Sequence, residues 1–131
     1  MSRLDELLRD RLSKDGQVLN LKALYIREIG AKELAQREEL NNLRALDLSQ
    51  NDIGDDGVKA IVESPHFTKL RTLNLAANNI SDVGAHYLAT AENLKNLRSV
   101  QLVINNITEE GEKELRNSMS LTSLTSLKFS V

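Results

Sequence analysis

LRALDLSQNDIGDDGVKAI, running from Leu43 to Ile61, decides how the rest of this chain is read. It returns as LRTLNLAANNISDVGAHYL from Leu70 to Leu88, and as LRSVQLVINNITEEGEKEL from Leu97 to Leu115. A fourth copy, LTSLKFSV, opens at Leu124. The copies start at 43, 70, 97 and 124, and such a constant period is the mark of stacked repeats rather than of a single globular core. Three kinds of position recur in phase: an alternating apolar pair, an Asn shortly after it, and a Gly at the start of an apolar-periodic stretch.

Alternation assigns the inward residues of each strand, since successive side chains point to opposite faces. These are Leu46 and Leu48, Leu73 and Leu75, and Val100 and Leu102. Ile53, Ile80 and Ile107 follow the turn as a second apolar column. Leu34, Ile61, Leu88 and Leu115 face inward from the helices, and Leu40, Phe67, Leu94 and Leu121 close the return loops. Asn51, Asn78 and Asn105 sit where a buried turn leaves backbone groups unpaired, and an amide offers them both donors and an acceptor. Gly57, Gly84 and Gly111 are expected to let each helix approach its strand closely. Pro65 ends the helix that precedes it.

The pattern resembles the leucine-rich repeat, in the ribonuclease-inhibitor-like class where each strand is followed by a full helix. The resemblance covers roughly residues 17–131. It implies an α/β solenoid, curved, with a parallel inner sheet and outer helices, and a stacked ladder made by Asn51, Asn78 and Asn105. The GxxxL helix motif and the SPHF return loop are more similar to bacterial members than to receptor ectodomains. Such a scaffold carries many unrelated tasks, so the resemblance speaks to fold far more than to function.

The expected organisation is one domain over residues 1–131. Residues 1–16 form an amphipathic capping helix in which Leu4, Leu7, Leu8 and Leu12 share a stripe, Ser2 caps the start and Gly16 ends it. Residues 17–42 read as an irregular first repeat, with Leu24 and Ile26 as strand core and five residues missing before GAKEL at Gly30–Leu34. Three regular repeats occupy 43–123, and a final strand occupies 124–131.

Composition narrows the function. Lys and Arg number 17 against 19 Asp and Glu, a formal charge of −2, which argues against a nucleic-acid or membrane-surface binder. Cysteine is absent, which removes disulfides and thiolate metal sites and favours a reducing compartment. MSRLDELLRDRL has no apolar signal core, so a cytoplasmic location is expected. Asp52, Asp56, Gly57 and Glu63 fall at EF-hand-like offsets. However, Gly54 supplies no ligand at the third position, and the next repeat puts Asn79, Val83 and Thr90 at the equivalent places. The only imidazoles are His66, in a return loop, and His86, on a helix, and no nucleophile or phosphate loop accompanies them. The expectation is therefore a protein without catalytic activity, metal or cofactor.

What remains is surface. The outward strand positions form the concave face: Ala23, Tyr25 and Arg27; Ala45, Asp47 and Ser49; Thr72, Asn74 and Ala76; Ser99, Gln101 and Val103; Ser126, Lys128 and Ser130, with Gln50, Ala77 and Ile104 extending it. Within it, Tyr25, Arg27, Asp47, Ser49, Gln50, Asn74, Gln101, Val103, Ile104 and Lys128 are the candidate contacts for a protein partner. Lys22, Arg44, Arg71 and Arg98 are expected along one rim, and Asp55, Asp56, Asp82, Glu109 and Glu110 along the other. Leu127, Phe129 and Val131 mark a candidate association edge, because the last strand has no following helix to cover it. The leading expectation is an interaction module or adaptor. The alternatives are a self-assembling solenoid that dimerises through this edge and a regulatory subunit of a larger complex.

Overall fold

A computed structural model describes residues 1–130; Val131, named above for the association edge, lies outside the described residues. Helix α1 spans Arg3–Arg11 and is followed by β1 (Val18–Asn20) and α2 (Arg27–Leu34). Then come β2 (Ala45–Asp47), α3 (Gly54–Glu63), β3 (Thr72–Asn74), α4 (Asp82–Ala89), β4 (Ser99–Gln101), α5 (Glu109–Arg116) and β5 (Ser126–Lys128). The strands form one parallel sheet in the order β1-β2-β3-β4-β5. Leu19, Leu46, Leu73, Val100 and Leu127 lie side by side across it. Helices α2 to α5 pack each against the next, so the protein is an α/β solenoid with the sheet on one side and the helices on the other.

The core is the set of apolar columns that the period demands. Leu34, Ile61, Leu88 and Leu115 are buried from the helix side, and Leu40, Phe67, Leu94 and Leu121 from the return loops. Burying a side chain of this size stabilises by about 1.5–3 kcal/mol, so each column outweighs any single surface contact.

The first repeat corrects the expectation. Its strand is Val18–Asn20, five residues before the anticipated place, with Val18 paired to Ala45. From there nothing is missing. Leu21, Ala23 and Arg27 donate their N–H groups to Asp47, Ser49 and Asn51 carbonyls, just as Leu48, Gln50 and Gly54 donate to Asn74, Ala76 and Asn78. Leu24 therefore holds the position of Asn51, and Ile26 that of Ile53. The stretch LKALYI imitates the strand motif, and only the hydrogen-bond register separates the two.

Helix α1 is also shorter than expected. Its start carries a capping box in which Ser2 and Asp5 serve each other's backbone N–H. It ends at Arg11, and Leu12 instead makes an antiparallel bridge to Leu19. The Ser13 N–H donates to Val18 O at 2.9 Å, and Gly16 closes the turn at φ +72°, a left-handed conformation suited to glycine. Leu4 and Leu8 are buried in the core, and Arg37 ties the helix down through Asp5 at 2.8 Å.

Two side-chain spines join the repeats. Asn78 Oδ1 accepts the N–H groups of Asn51 and Ile53 at 3.1 and 3.2 Å, while its Nδ2 donates to Leu48 and Ala76 carbonyls at 2.9 and 3.1 Å. Asn105 does the same for Asn78 and Ile80, and Asn51 for Leu24 and Ile26. The second spine runs along the helix starts. Asp55 accepts from Ser81 N, Ser81 Oγ and Gly84 N at 2.8, 2.6 and 3.0 Å, so one repeat caps the helix of the next. Asp82 repeats this with Thr108 N at 2.8 Å and Thr108 Oγ1 at 2.5 Å, and those bonds hold its carboxyl below the usual carboxylate range.

The glycines answer to this spine and to their own turns rather than to a helix-to-strand approach. A Cβ on Gly84 would stand 2.5 Å from Asp55 Oδ1 and 2.6 Å from Ile80 Cγ2. On Gly57 it would meet Ile53 Cβ at 2.8 Å.

Candidate interaction surface

The strands are three residues long, so each shows the solvent its first and third residue, and β1 to β4 bury the second. At the third position Asn20, Asp47, Asn74, Gln101 and Lys128 are in register across the sheet. The first position holds Val18, Ala45, Thr72, Ser99 and Ser126, small apart from Val18. A shallow depression runs across both rows from β1 to β4.

The third-position side chains are oriented by their own backbone. Asn20 Oδ1 accepts from Lys22 N at 3.0 Å, Asp47 Oδ1 from Ser49 N at 2.9 Å, Asn74 Oδ1 from Ala76 N at 3.1 Å, and Gln101 Oε1 from Val103 N at 3.2 Å. Each is the side-chain-to-backbone turn that short polar residues favour where a strand ends. An N–H can only be met by the amide oxygen, so the NH2 groups of Asn20, Asn74 and Gln101 are left over. Among the described residues none of the three donates to a protein acceptor.

The structure places the expected contacts unevenly. Asp47, Asn74, Gln101 and Lys128 do lie on the sheet face. Ser49 does not present itself: it is buried, and its hydroxyl donates to Asp47 Oδ1 at 2.6 Å. Gln50 and Ile104 are exposed beyond the strand ends at φ +58°, and Val103 is half-buried. Tyr25 and Arg27 leave the concave face altogether, because the first strand lies earlier in the chain. They occupy the turn into α2 with left-handed backbones, the places of Asp52 and Gly54 one repeat on, and the Arg27 guanidinium lies 5.0 Å from the Tyr25 ring centroid. Leu24 and Lys22 shift with them; Lys22 matches Ser49 rather than the arginines.

At the far end, Leu127 is half-buried where Val100 and Leu73 are fully buried. Phe129 is half-buried, with the Arg116 guanidinium 5.4 Å from its ring centroid. Arg44, Arg71 and Arg98 stand immediately before β2, β3 and β4. The acids of the opposite rim are less available than their number implies, since Asp55 and Asp82 are engaged in the inter-repeat spine.

The imidazoles stand apart. His66 Nδ1 lies 2.8 Å from Asn41 Oδ1, and His86 Nδ1 2.7 Å from Glu114 Oε2. Among the described residues no three His, Asp or Glu side chains converge as metal ligands, and no helix is long and apolar enough to cross a membrane.

A leucine-rich repeat family model matches residues 39–62 and 66–89. No curated protein matches the chain by sequence. Among solved structures, the C-terminal domain of a Caenorhabditis elegans tropomodulin is similar at 14% identity and a TM-score of 0.70, over 99% of this chain and 84% of that one. An internalin from Listeria monocytogenes is similar at 22% identity and a TM-score of 0.44, over 75% of this chain and 32% of that one. Two copies of the repeat, at residues 39–62 and 66–89, are thus matched in sequence, and the whole stack shares the fold of a leucine-rich repeat domain.

Proposed function

We propose that the protein is a non-catalytic protein-interaction module, working within the cell as an adaptor or recognition element, and that its concave sheet face makes the contact. Leucine-rich repeat domains generally bind protein partners. The observation that carries the reading here is the row of amide NH2 groups on Asn20, Asn74 and Gln101, oriented by the backbone and unspent. Polar groups in fixed orientation, half-sheltered in a shallow depression, suit the carbonyls of a protein surface, which can take up what the fold leaves over. The short side chains around them admit a protruding element without demanding large rearrangement.

Replacing Asn74 or Gln101 by Arg fills the depression and removes the amide that the backbone orients. A capture experiment with tagged protein in source lysate is expected to lose one bound protein with either variant and to keep it with Lys59→Glu on the helix side. If the Arg variants retain everything that the unaltered protein captures, the concave face is not the contact surface.

A second reading has its own observation, the half-buried Leu127 and Phe129 beside an edge strand. Self-association of two copies through β5 would pair an open strand and cover both side chains. Light scattering is then expected to show mass rising with concentration for the unaltered chain and a monomer for Phe129→Asp. A chain that stays monomeric at high micromolar concentration rules this out.

A further inference from the structure

Three arginines form a column that the fold builds and then leaves without counter-charge. The N–H groups of Arg71 and Thr72 both donate to Arg44 O, at 2.8 and 3.0 Å; those of Arg98 and Ser99 both donate to Arg71 O, at 2.8 and 3.1 Å. Arg44 and Thr125 extend the same chain of bonds to Gln17 O and from Arg98 O. The three residues are thus stacked one strand apart, about 4.8 Å per step, at the N-terminal end of the sheet.

Other arginines here find partners. Arg9, Arg37 and Arg116 pair with carboxylates, Arg3 and Arg11 donate to carbonyls, and Arg27 lies over Tyr25. Among the described residues the guanidiniums of Arg44, Arg71 and Arg98 make no hydrogen bond or ion pair. Asp15, held below the usual carboxylate range mainly by the Ser13 hydroxyl and the Gln17 N–H, feels Arg44 only as its weakest influence. Like charges at this spacing repel well inside the screening length of about 8 Å. A ligand that brought anions at the same spacing would relieve that repulsion and fill the guanidinium forks.

We infer that Arg44, Arg71 and Arg98 receive an acidic protein helix laid across the strands, with Asp or Glu at i, i+4 and i+7. This deepens the interaction reading above, and rests on it, by naming the partner's chemistry. The spacing selects the helix. The outer arginines are about 9.6 Å apart along the stack. On a helix, residues i and i+7 are separated by about 10.5 Å along the axis and share a face. On an extended segment, same-face residues i and i+4 lie about 13 Å apart and overshoot the column. A nucleic acid is disfavoured by the formal charge of −2 and by strands that offer no aromatic side chain for base stacking.

The test uses the full chain and stapled alanine-based helices carrying Glu at i, i+4 and i+7, with Gln replacements as control. Binding is read by fluorescence anisotropy at low salt. The Glu helix is expected to bind about tenfold more tightly than the Gln helix, and Arg44→Gln/Arg71→Gln/Arg98→Gln to lose about that factor. A thermal melt checks that the triple variant folds; if it does not, Arg71→Gln alone is expected to weaken binding about twofold. Equal binding of the Glu and Gln helices, or a folded triple variant that binds unchanged, overturns the inference. So does an oligothymidylate bound more tightly than the Glu helix. Asn74→Arg, titrated in parallel, separates the two proposals. Binding lost with the arginine variants but kept by Asn74→Arg supports the column and places the helix contact outside the amide row. The reverse pattern overturns the column and leaves the concave reading standing.

Discussion

Deleting residues 1–15 is expected to abolish cooperative folding and to drive the protein into aggregates. Helix α1 contributes Leu4 and Leu8 to the core, and their burial alone stabilises by about 3–6 kcal/mol. Total stability of a domain is about 5–15 kcal/mol, so this loss is a large share of what there is. The deletion also strips β1 of its second neighbour. The Leu12–Leu19 bridge and the bond from Ser13 N to Val18 O both vanish, and Leu19 and Leu21, now fully buried, face water. An unpaired strand beside an opened apolar core is an aggregation edge. Gel filtration and a thermal melt suffice: a soluble truncated chain with an unchanged melting temperature would mean that α1 is an ornament rather than a cover.

Asn78→Ala should be among the most damaging single substitutions in the polar part of the fold. The side chain is fully buried and is bonded to two N–H groups and two carbonyls belonging to different turns. Truncation leaves these groups without partners, at a cost of about 1–3 kcal/mol for each buried one that water cannot reach. The expected loss is about 2–4 kcal/mol, or roughly 10 °C in melting temperature for a chain of this size. Asn105→Ala provides the internal comparison. Asn105 is half-buried, so water can serve the groups it abandons, and its loss should be about half as large. Equal effects at both positions, or none at Asn78, would show that the ladder does not contribute the stability assigned to it.

The first repeat shows why a strong sequence pattern can still mislead by five residues. In the later copies the Asn anchors the phase. In the first copy Leu24 occupies that slot: each ladder Asn serves the N–H groups of the repeat before it, as Asn51 serves Leu24 and Ile26, and before the first copy stands α1 rather than another repeat. With the anchor gone, LKALYI reads as a convincing strand, and that reading puts Tyr25 and Arg27 on the wrong surface. A strict count of one period back from Leu46 to Leu19 would have found the strand.

Some of the candidate surface was legible before any coordinates. Alternation alone identified Asp47, Asn74, Gln101 and Lys128 as outward, because the pleat leaves a strand residue few choices. The fate of Ser49 was not legible. It depends on where the strand stops, and a three-residue strand hands over to a turn whose direction alternation does not describe. The same holds for Asp55 and Asp82. Sequence alone marked them as helix-start acids on a rim, whereas their carboxylates reach across to cap the helix of the next repeat.

By itself the chain determined its repeat length, the apolar columns, the Asn ladder and the solenoid, since all of these are periodic and a period survives in one dimension. The tertiary structure alone decided the burial of Ser49, the inter-repeat bonds of Asp55 and Asp82, and the isolation of Arg44, Arg71 and Arg98. Those depend on which groups from neighbouring repeats come within about 3 Å of one another, and hydrogen bonding is too short-ranged and directional for residue spacing to specify.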